Sequence, residues 1–391
     1  MERVETGLDN LIVSSEPRLE GKRLGLLCNP ASVDSRLCNA KDLVHKKYGS
    51  RLRALFSPQH GLYAEKQDNM IESNDFYDPD LKIPVFSLYG KTRRPTAEML
   101  DLIDVLIVDL IDVGTRVYTF LTTLSYCLEE AGKAGKAVLV LDRPNPTGGL
   151  QVEGNCLRAP YASFVGRYPM PMRHGLTIGE YADWINSRFN IGCDLTVIPM
   201  KGWRRRMYYR DTGLFWVAPS PNLPTPASAV VYPGQVIWEG TNVSEGRGTT
   251  QPFELFGAPF IDIDRILSCL GGGRLPGCIL RPAVFEPTAN KWKGTTCRGF
   301  QLHITDPYVY QPYETSLKLL SAILLHHKDR FEWKDPPYEY EFETLPIDLI
   351  IGDRQIRRAI EAGEDARDIL AHCRPDLDEF VESTIPFRLY E

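Results

Sequence analysis

The 391-residue chain has no apolar run near the roughly 20 residues that a bilayer-spanning helix requires, which excludes an ordinary transmembrane segment. Its nine cysteines include no CxxC pair, so neither a zinc ribbon nor a thioredoxin-type redox motif is written here. The odd count and irregular spacing suit reduced core thiols, such as Cys127 in an apolar stretch, and a reducing compartment. MERVETGLDN is not a basic start followed by an apolar segment. The expectation is a cytoplasmic protein, or a periplasmic or secreted one if a leader was removed. There is no GxxxxGKS/T loop, and no GxGxxG follows the first apolar run, so no nucleotide cofactor is expected. GxSxG and HExxH are absent, which argues against a hydrolase serine elbow and against a zinc protease site. Positive charge is also short: 45 Lys and Arg against 51 Asp and Glu leave a net −6. Neither nucleic-acid nor membrane partners are expected from such a chain.

What is present has the composition of a folded soluble protein, 43% hydrophobic and 25% charged, with length enough for two to three domains. Short apolar runs alternate with helical patterns in the first half, which predicts an α/β fold on a parallel sheet. Strands are expected at Leu24–Cys28, Arg53–Phe56, Pro84–Leu88, Val105–Asp109 and Ala137–Leu141, all apolar enough for burial on both faces. Helices are expected near Asp34–Lys47, Thr96–Asp101 and Tyr118–Ala134, with Thr96 as an N-cap. A polar cluster follows each strand: NPAS, SPQHG, YGKTR, DLIDVGTR and DRPNPTGG. In a parallel sheet those ends share one edge, where ligands bind.

The second half reads as a smaller α+β region. Ile178–Phe189 predicts a helix and Asp194–Met200 a strand. The Pro- and Gly-rich stretch from Pro219 to Gly248 is expected to hold strands near Val230–Tyr232 and Val236–Glu239 with a long ordered loop. Strands at Ile279–Phe285 and Gly299–Ile304, and helices near Thr315–His327 and Gln355–Glu361, complete it. The division is placed at 1–155, a Rossmann-like sheet domain, and 156–391, with allowance for later strands returning to the first sheet.

Three groups of residues carry candidate chemistry. His60 sits beside Gly61 in the loop after the second strand, which continues with Glu65, Asp68, Asn69 and Glu72. Asp109, Asp112, Arg116 and Tyr118 follow the fourth strand, and Arg116 is the expected partner of Asp109. Glu239, Glu245 and Arg247 stand in a glycine-flanked loop. Glycosidases commonly use one protonated carboxylic acid and a second carboxylate. Glu65, Glu239, Glu245, Asp109 and Asp112 supply carboxylates for that chemistry. The same groups also fit a solvated loop and structural ion pairs.

Eight segments in order then carry a family resemblance: LLCNPASV, LFSPQHG, YGKTRRPT, DVGTRVYTF, LDRPNPTGG with VEG, MRHGLTIGE, SPNLPTP and EGTNVSEGRGTTQPFELFGAPF. They run over nearly the whole chain, which resembles the DUF1343 proteins, the family of NamZ-type exo-β-N-acetylmuramidases. The resemblance implies a Rossmann-like domain joined to a smaller domain, with the site in the cleft between them. It implies release of N-acetylmuramic acid from the non-reducing end of peptidoglycan fragments, without a cofactor. It carries His60, Arg116, Tyr118, Asn145, His174, Glu239, Glu245 and Arg247 over as site residues, together with Asp109 and Asp112. Arg116 or Arg247 would hold the lactyl carboxylate of the muramic acid. Many members read PEHG where this chain has Gln59, and that Glu is their proposed acid. An amide has no proton to give, so three readings stay open. Glu65 takes the role, or Glu245 does, or the cleft binds a glycan without cleaving it.

Overall fold

The structure is a computed structural model, and it describes residues 3–391. The chain forms strands β1 (Leu24–Cys28), β2 (Leu52–Ser57), β3 (Phe76–Tyr77), β4 (Pro84–Ser87), β5 (Val105–Asp109) and β6 (Ala137–Leu141). There follow β7 (Glu153–Cys156) and β8 (Pro171–Arg173), a separate antiparallel ribbon, and then β9 (Asp194–Ile198). The main sheet has the order β3-β4-β2-β1-β5-β6-β9, with only the short β3 antiparallel to its neighbour. The five apolar runs identified in the first half are five of its parallel strands. The strand expected near Asp194 returns to this sheet and closes its far edge beside β6.

Alternate residues of these strands enter two different cores. Leu27, Leu106, Val108, Val138 and Val140 face one side, covered by helices Phe120–Lys133 and Ile178–Arg188. Leu24, Leu26, Val105, Ile107, Leu139 and Leu141 face the other, covered by helices Gly7–Val13 and Ala40–Tyr48. Period-two alternation in a strand that is apolar on both faces gives this two-sided burial. Thr96 caps its helix as expected, accepting from the Met99 N–H. The helix expected from Asp34 begins only at Ala40. Asp34 instead accepts the backbone N–H groups of Arg36 and Cys38 and holds a turn, and Asn39 is the cap.

The smaller region is built on an antiparallel sheet of β10 (Leu255–Ala258), β11 (Arg274–Leu275), β12 (Cys278–Phe285) and β13 (Cys297–Ile304), in the order β10-β13-β12-β11. The strands expected at Val230–Tyr232 and Val236–Glu239 do not form. Pro226–Gln235 is a helix, and Val236–Gly240 is a 3-10 turn that continues it. Valine content misleads here, because Thr225 and Ser228 make a capping box and Pro226 sits at the first helical position. This helix packs on helix Pro312–His327. The contact is close at Gly234, where a Cβ would lie 2.0 Å from the Pro312 carbonyl oxygen. The two regions share one continuous apolar core, which joins Leu106 and Val140 to Trp238, Phe256, Phe300 and Ile347.

Gly234→Ala is expected to destabilise the protein by about 1–3 kcal/mol through overpacking, with helix content retained. Urea unfolding followed by circular dichroism checks this.

Candidate active site

A narrow polar cleft opens where the carboxyl ends of β2 and β5 meet the smaller region. The loop after β2 contributes Gln59, His60 and Asn69, and the segment after β5 contributes Tyr118 and Thr119. Ser220 and Asn222 enter from SPNLPTP, and Tyr232 from the following helix. Glu239, Arg247, Tyr338 and Glu339 complete the polar wall. Trp238, fully buried and stacked on Phe256 at a centroid distance of 5.1 Å, anchors the turn that carries Glu239.

Glu239 accepts from Arg247 Nη2 at 2.7 Å, from the Tyr338 hydroxyl at 2.7 Å and from Asn69 Nδ2 at 3.2 Å. Its neighbour Glu245 is held by Lys291 Nζ at 2.7 Å and Arg247 Nε at 3.1 Å. Burial opposes ionisation of Glu245, but the two cations overcome it and hold its carboxyl below the ordinary value. Arg247 thus clamps both carboxylates, while its buried Nη1 has no partner among the described residues.

Glu339 has the opposite environment. Tyr89 donates its hydroxyl to Oε2 at 2.6 Å, and Gln59 Nε2 donates to Oε1 at 3.1 Å. Thr119 fixes the amide by donating to Gln59 Oε1 at 2.5 Å. Burial pushes this carboxyl up to about 7, against the two hydrogen bonds. Glu339 (φ 46°), Tyr340 (φ 68°) and His60 (φ 74°) all hold left-handed backbone. Such backbone is costly for residues with a side chain and clusters at functional sites. The His60 imidazole is buried, which lowers its pKa to about 4. Its neutral ring donates from Nδ1 to the Lys66 carbonyl at 2.7 Å, leaving Nε2 as an acceptor.

One family model, described as exo-beta-N-acetylmuramidase NamZ, N-terminal, matches residues 24–227. Its C-terminal counterpart matches residues 230–390. The chain belongs to the NamZ family. It is 43% identical over 389 residues to the peptidoglycan beta-N-acetylmuramidase NamZ of Bacillus subtilis strain 168, spanning 99% of this chain and 92% of that relative. Two crystal structures of DUF1343 family proteins from Bacteroides fragilis NCTC 9343 share its fold. One has a TM-score of 0.88 at 35% identity and the other 0.78 at 27%. Each alignment covers 100% of this chain and 99% of the other.

Within this NamZ-family cleft, Gln59, His60, Tyr118, Glu239 and Arg247 come together as expected. The remaining candidates do not line it. Glu65 is exposed, and Glu245 lies behind Arg247 in its ion pairs, so neither is placed as a proton donor. Asp109 pairs with Arg143, not Arg116: Nε and Nη2 donate to its two oxygens, the second at 2.8 Å. Arg116 has no carboxylate partner among the described residues. Its guanidinium donates to the carbonyls of Asn155, Met170, Ile350 and Ile351 at 2.6–3.0 Å. The last two end the helix Pro346–Ile351, where unsatisfied carbonyls favour a cation. Asp112 accepts from Gly114 N–H at 2.6 Å and from His174 Nε2 at 3.0 Å. The Leu176 N–H donates to His174 Nδ1 at 3.1 Å, which fixes the ring's tautomer. Asn145 donates to the Leu176 carbonyl at 2.9 Å and accepts from Thr147. These five candidates, Asp109, Arg116, Asp112, His174 and Asn145, hold the loops behind the cleft.

Glu339 and Tyr338 escaped the sequence reading, and Tyr89 entered it only as the first residue of the YGKTR cluster at the sheet edge. PPYEYE alternates aromatic and acidic residues in an irregular segment, a pattern that a solvated edge shares.

Two outcomes are expected. Arg143→Ala strands a buried Asp109 and costs about 3–5 kcal/mol in urea unfolding, while KM of the folded enzyme is unchanged. His60 remains neutral from pH 8 to 5 in an NMR titration. Its pKa is about 4 when folded and near 6.5 when unfolded, so the unfolded chain binds more protons between those values. Its contribution to stability therefore falls as pH drops from about 6.5 toward 4, and His60→Asn removes that limb.

Proposed function

We propose that this chain is an exo-acting glycoside hydrolase that releases N-acetylmuramic acid from the non-reducing end of peptidoglycan fragments. Membership of the NamZ family and the 43% identity to the B. subtilis muramidase support the reaction class. The observation that carries the substrate assignment is Arg247 Nη1, a buried guanidinium donor without a partner on a residue that lines the cleft. N-acetylmuramic acid differs from N-acetylglucosamine by a lactyl ether that ends in a carboxylate. An Arg donor already fixed by two ion pairs suits that group. Arg247 is the anchor in this reading, and Arg116, committed to four carbonyls, is not. The nine free thiols support a reducing compartment and imported fragments as substrate.

Gln59 favours a second reading, a protein that binds the same sugar without turnover. One assay separates the two. The wild type is expected to release free N-acetylmuramic acid from a MurNAc–GlcNAc disaccharide and to leave GlcNAc–GlcNAc intact. Arg247→Lys keeps a cation beside Glu239 but loses the fork, and should raise KM for the first substrate about 10- to 100-fold. Binding of the disaccharide with no release after long incubation decides for the binding protein.

A further inference from the structure

The muramidase reading leaves its proton donor unassigned, because position 59 is an amide and neither Glu65 nor Glu245 is placed to serve. We infer that Glu339 is the catalytic acid of this cleft and that Tyr89 and Gln59 position it. The assignment rests on the proposed glycosidase function. Its geometric basis is independent of that function. Glu339 lines the cleft, is 5% exposed, and has each carboxyl oxygen oriented by a separate donor from the other region of the chain. It also stands on left-handed backbone, a conformation that persists only where its surroundings hold it.

Burial, with Glu239 beside it, favours a protonated carboxyl near neutral pH, against the pull of Tyr89, Gln59 and Arg93. Tyr89, Tyr232, Tyr338 and Tyr340 surround it, neutral at that pH. Glu239 is the nearby negative charge and opposes ionisation. Arg93 favours ionisation, but its guanidinium is stacked 3.8 Å from the centroid of the Tyr340 ring and 4.8 Å from that of Tyr89. Glu239 is ion-paired with Arg247 and accepts two further hydrogen bonds, from Tyr338 and Asn69. Glu339, with two neutral donors, is held as the proton carrier. Two carboxyl groups with divergent environments are the arrangement that divides acid and base roles.

The step itself is simple. Glu339 gives its proton to the glycosidic oxygen as the C1–O bond breaks, and the bonding electron pair leaves with that oxygen. Water supplies the hydroxyl that ends on C1, and its remaining proton restores the acid. Gln59 keeps the acid in place through its Nε2 donor. Gln59 is thus an orienting residue, and the proton sits on the group it orients.

Glu339→Gln tests the assignment with two substrates. The MurNAc–GlcNAc disaccharide needs its leaving oxygen protonated, whereas 4-nitrophenyl β-N-acetylmuramide departs without help. The variant is expected to lose about 10²- to 10⁴-fold in kcat on the disaccharide and to retain the nitrophenyl activity. Equal losses on both substrates, or no loss on either, overturn the assignment. A wild type inert on both overturns the muramidase reading and this assignment with it. Should Glu339→Gln not fold, Tyr89→Phe decides. Wild-type activity is expected to fall as pH rises through about 7, where the acid loses its proton. Tyr89 favours the ionised form, so its removal should move that alkaline limb to higher pH. Lower activity with an unmoved limb would overturn the assignment.

Discussion

The cleft depends on one buried cation that has no anion among the described residues. Arg116 projects from the segment after β5, and its two terminal nitrogens each meet two backbone carbonyls. Two belong to the ribbon side of the larger region and two to the carboxyl end of a helix in the smaller one. A guanidinium so deep in apolar surroundings is costly unless most of its donors are satisfied. The four carbonyls take up both terminal nitrogens and leave only Nε without a partner among the described residues, and in doing so they set where helix Pro346–Ile351 sits relative to β5. Glu339 lies a few residues before that helix, so the same contact fixes the side wall of the cleft.

Three glutamates within one small region then take three different roles from their partners alone. Glu245 is enclosed by Lys291 and Arg247 and is committed to charge. Glu239 shares Arg247 but turns its other oxygen to Tyr338 and Asn69 in the cleft. Glu339 meets no cation directly, only a phenol and an amide. Nothing in the residue type separates them. The distinction comes from which donors the fold delivers to each, and Arg247 is the residue on which two of the three depend.

The larger region was largely readable because its signal is local. LGLLC, VLIVD and AVLVL are apolar on both faces, and such runs leave few options besides a buried parallel strand. Pro226–Gln235 was misread because VVYPGQ has strand-like composition, and the capping box that outweighs it depends on Ser228. Within the site, His60 and Tyr118 were identified from segments at the sheet edge, and Glu239 and Arg247 from a glycine-flanked loop of the second half. Arg116 and Asp109 were identified as buried partners but paired wrongly, because their true partners lie on β6's loop and on a distant helix. Glu339 was invisible for a similar reason. Its chemistry is conferred by Tyr89 and Gln59, and nothing near it in the chain announces them.

Gln59 and Glu339 stand 280 positions apart, yet they are joined by one hydrogen bond. Closing so long a loop costs entropy that contacts elsewhere in the fold must offset. The buried carboxyl and its donors are therefore brought together only in the completed molecule. A nascent or clipped chain holding either part alone has a solvated glutamate or an idle amide, and neither has a reason to carry a proton at neutral pH. For a protein whose proposed substrate is a structural polymer, the proposed acid thus belongs to the joined regions and to neither part alone.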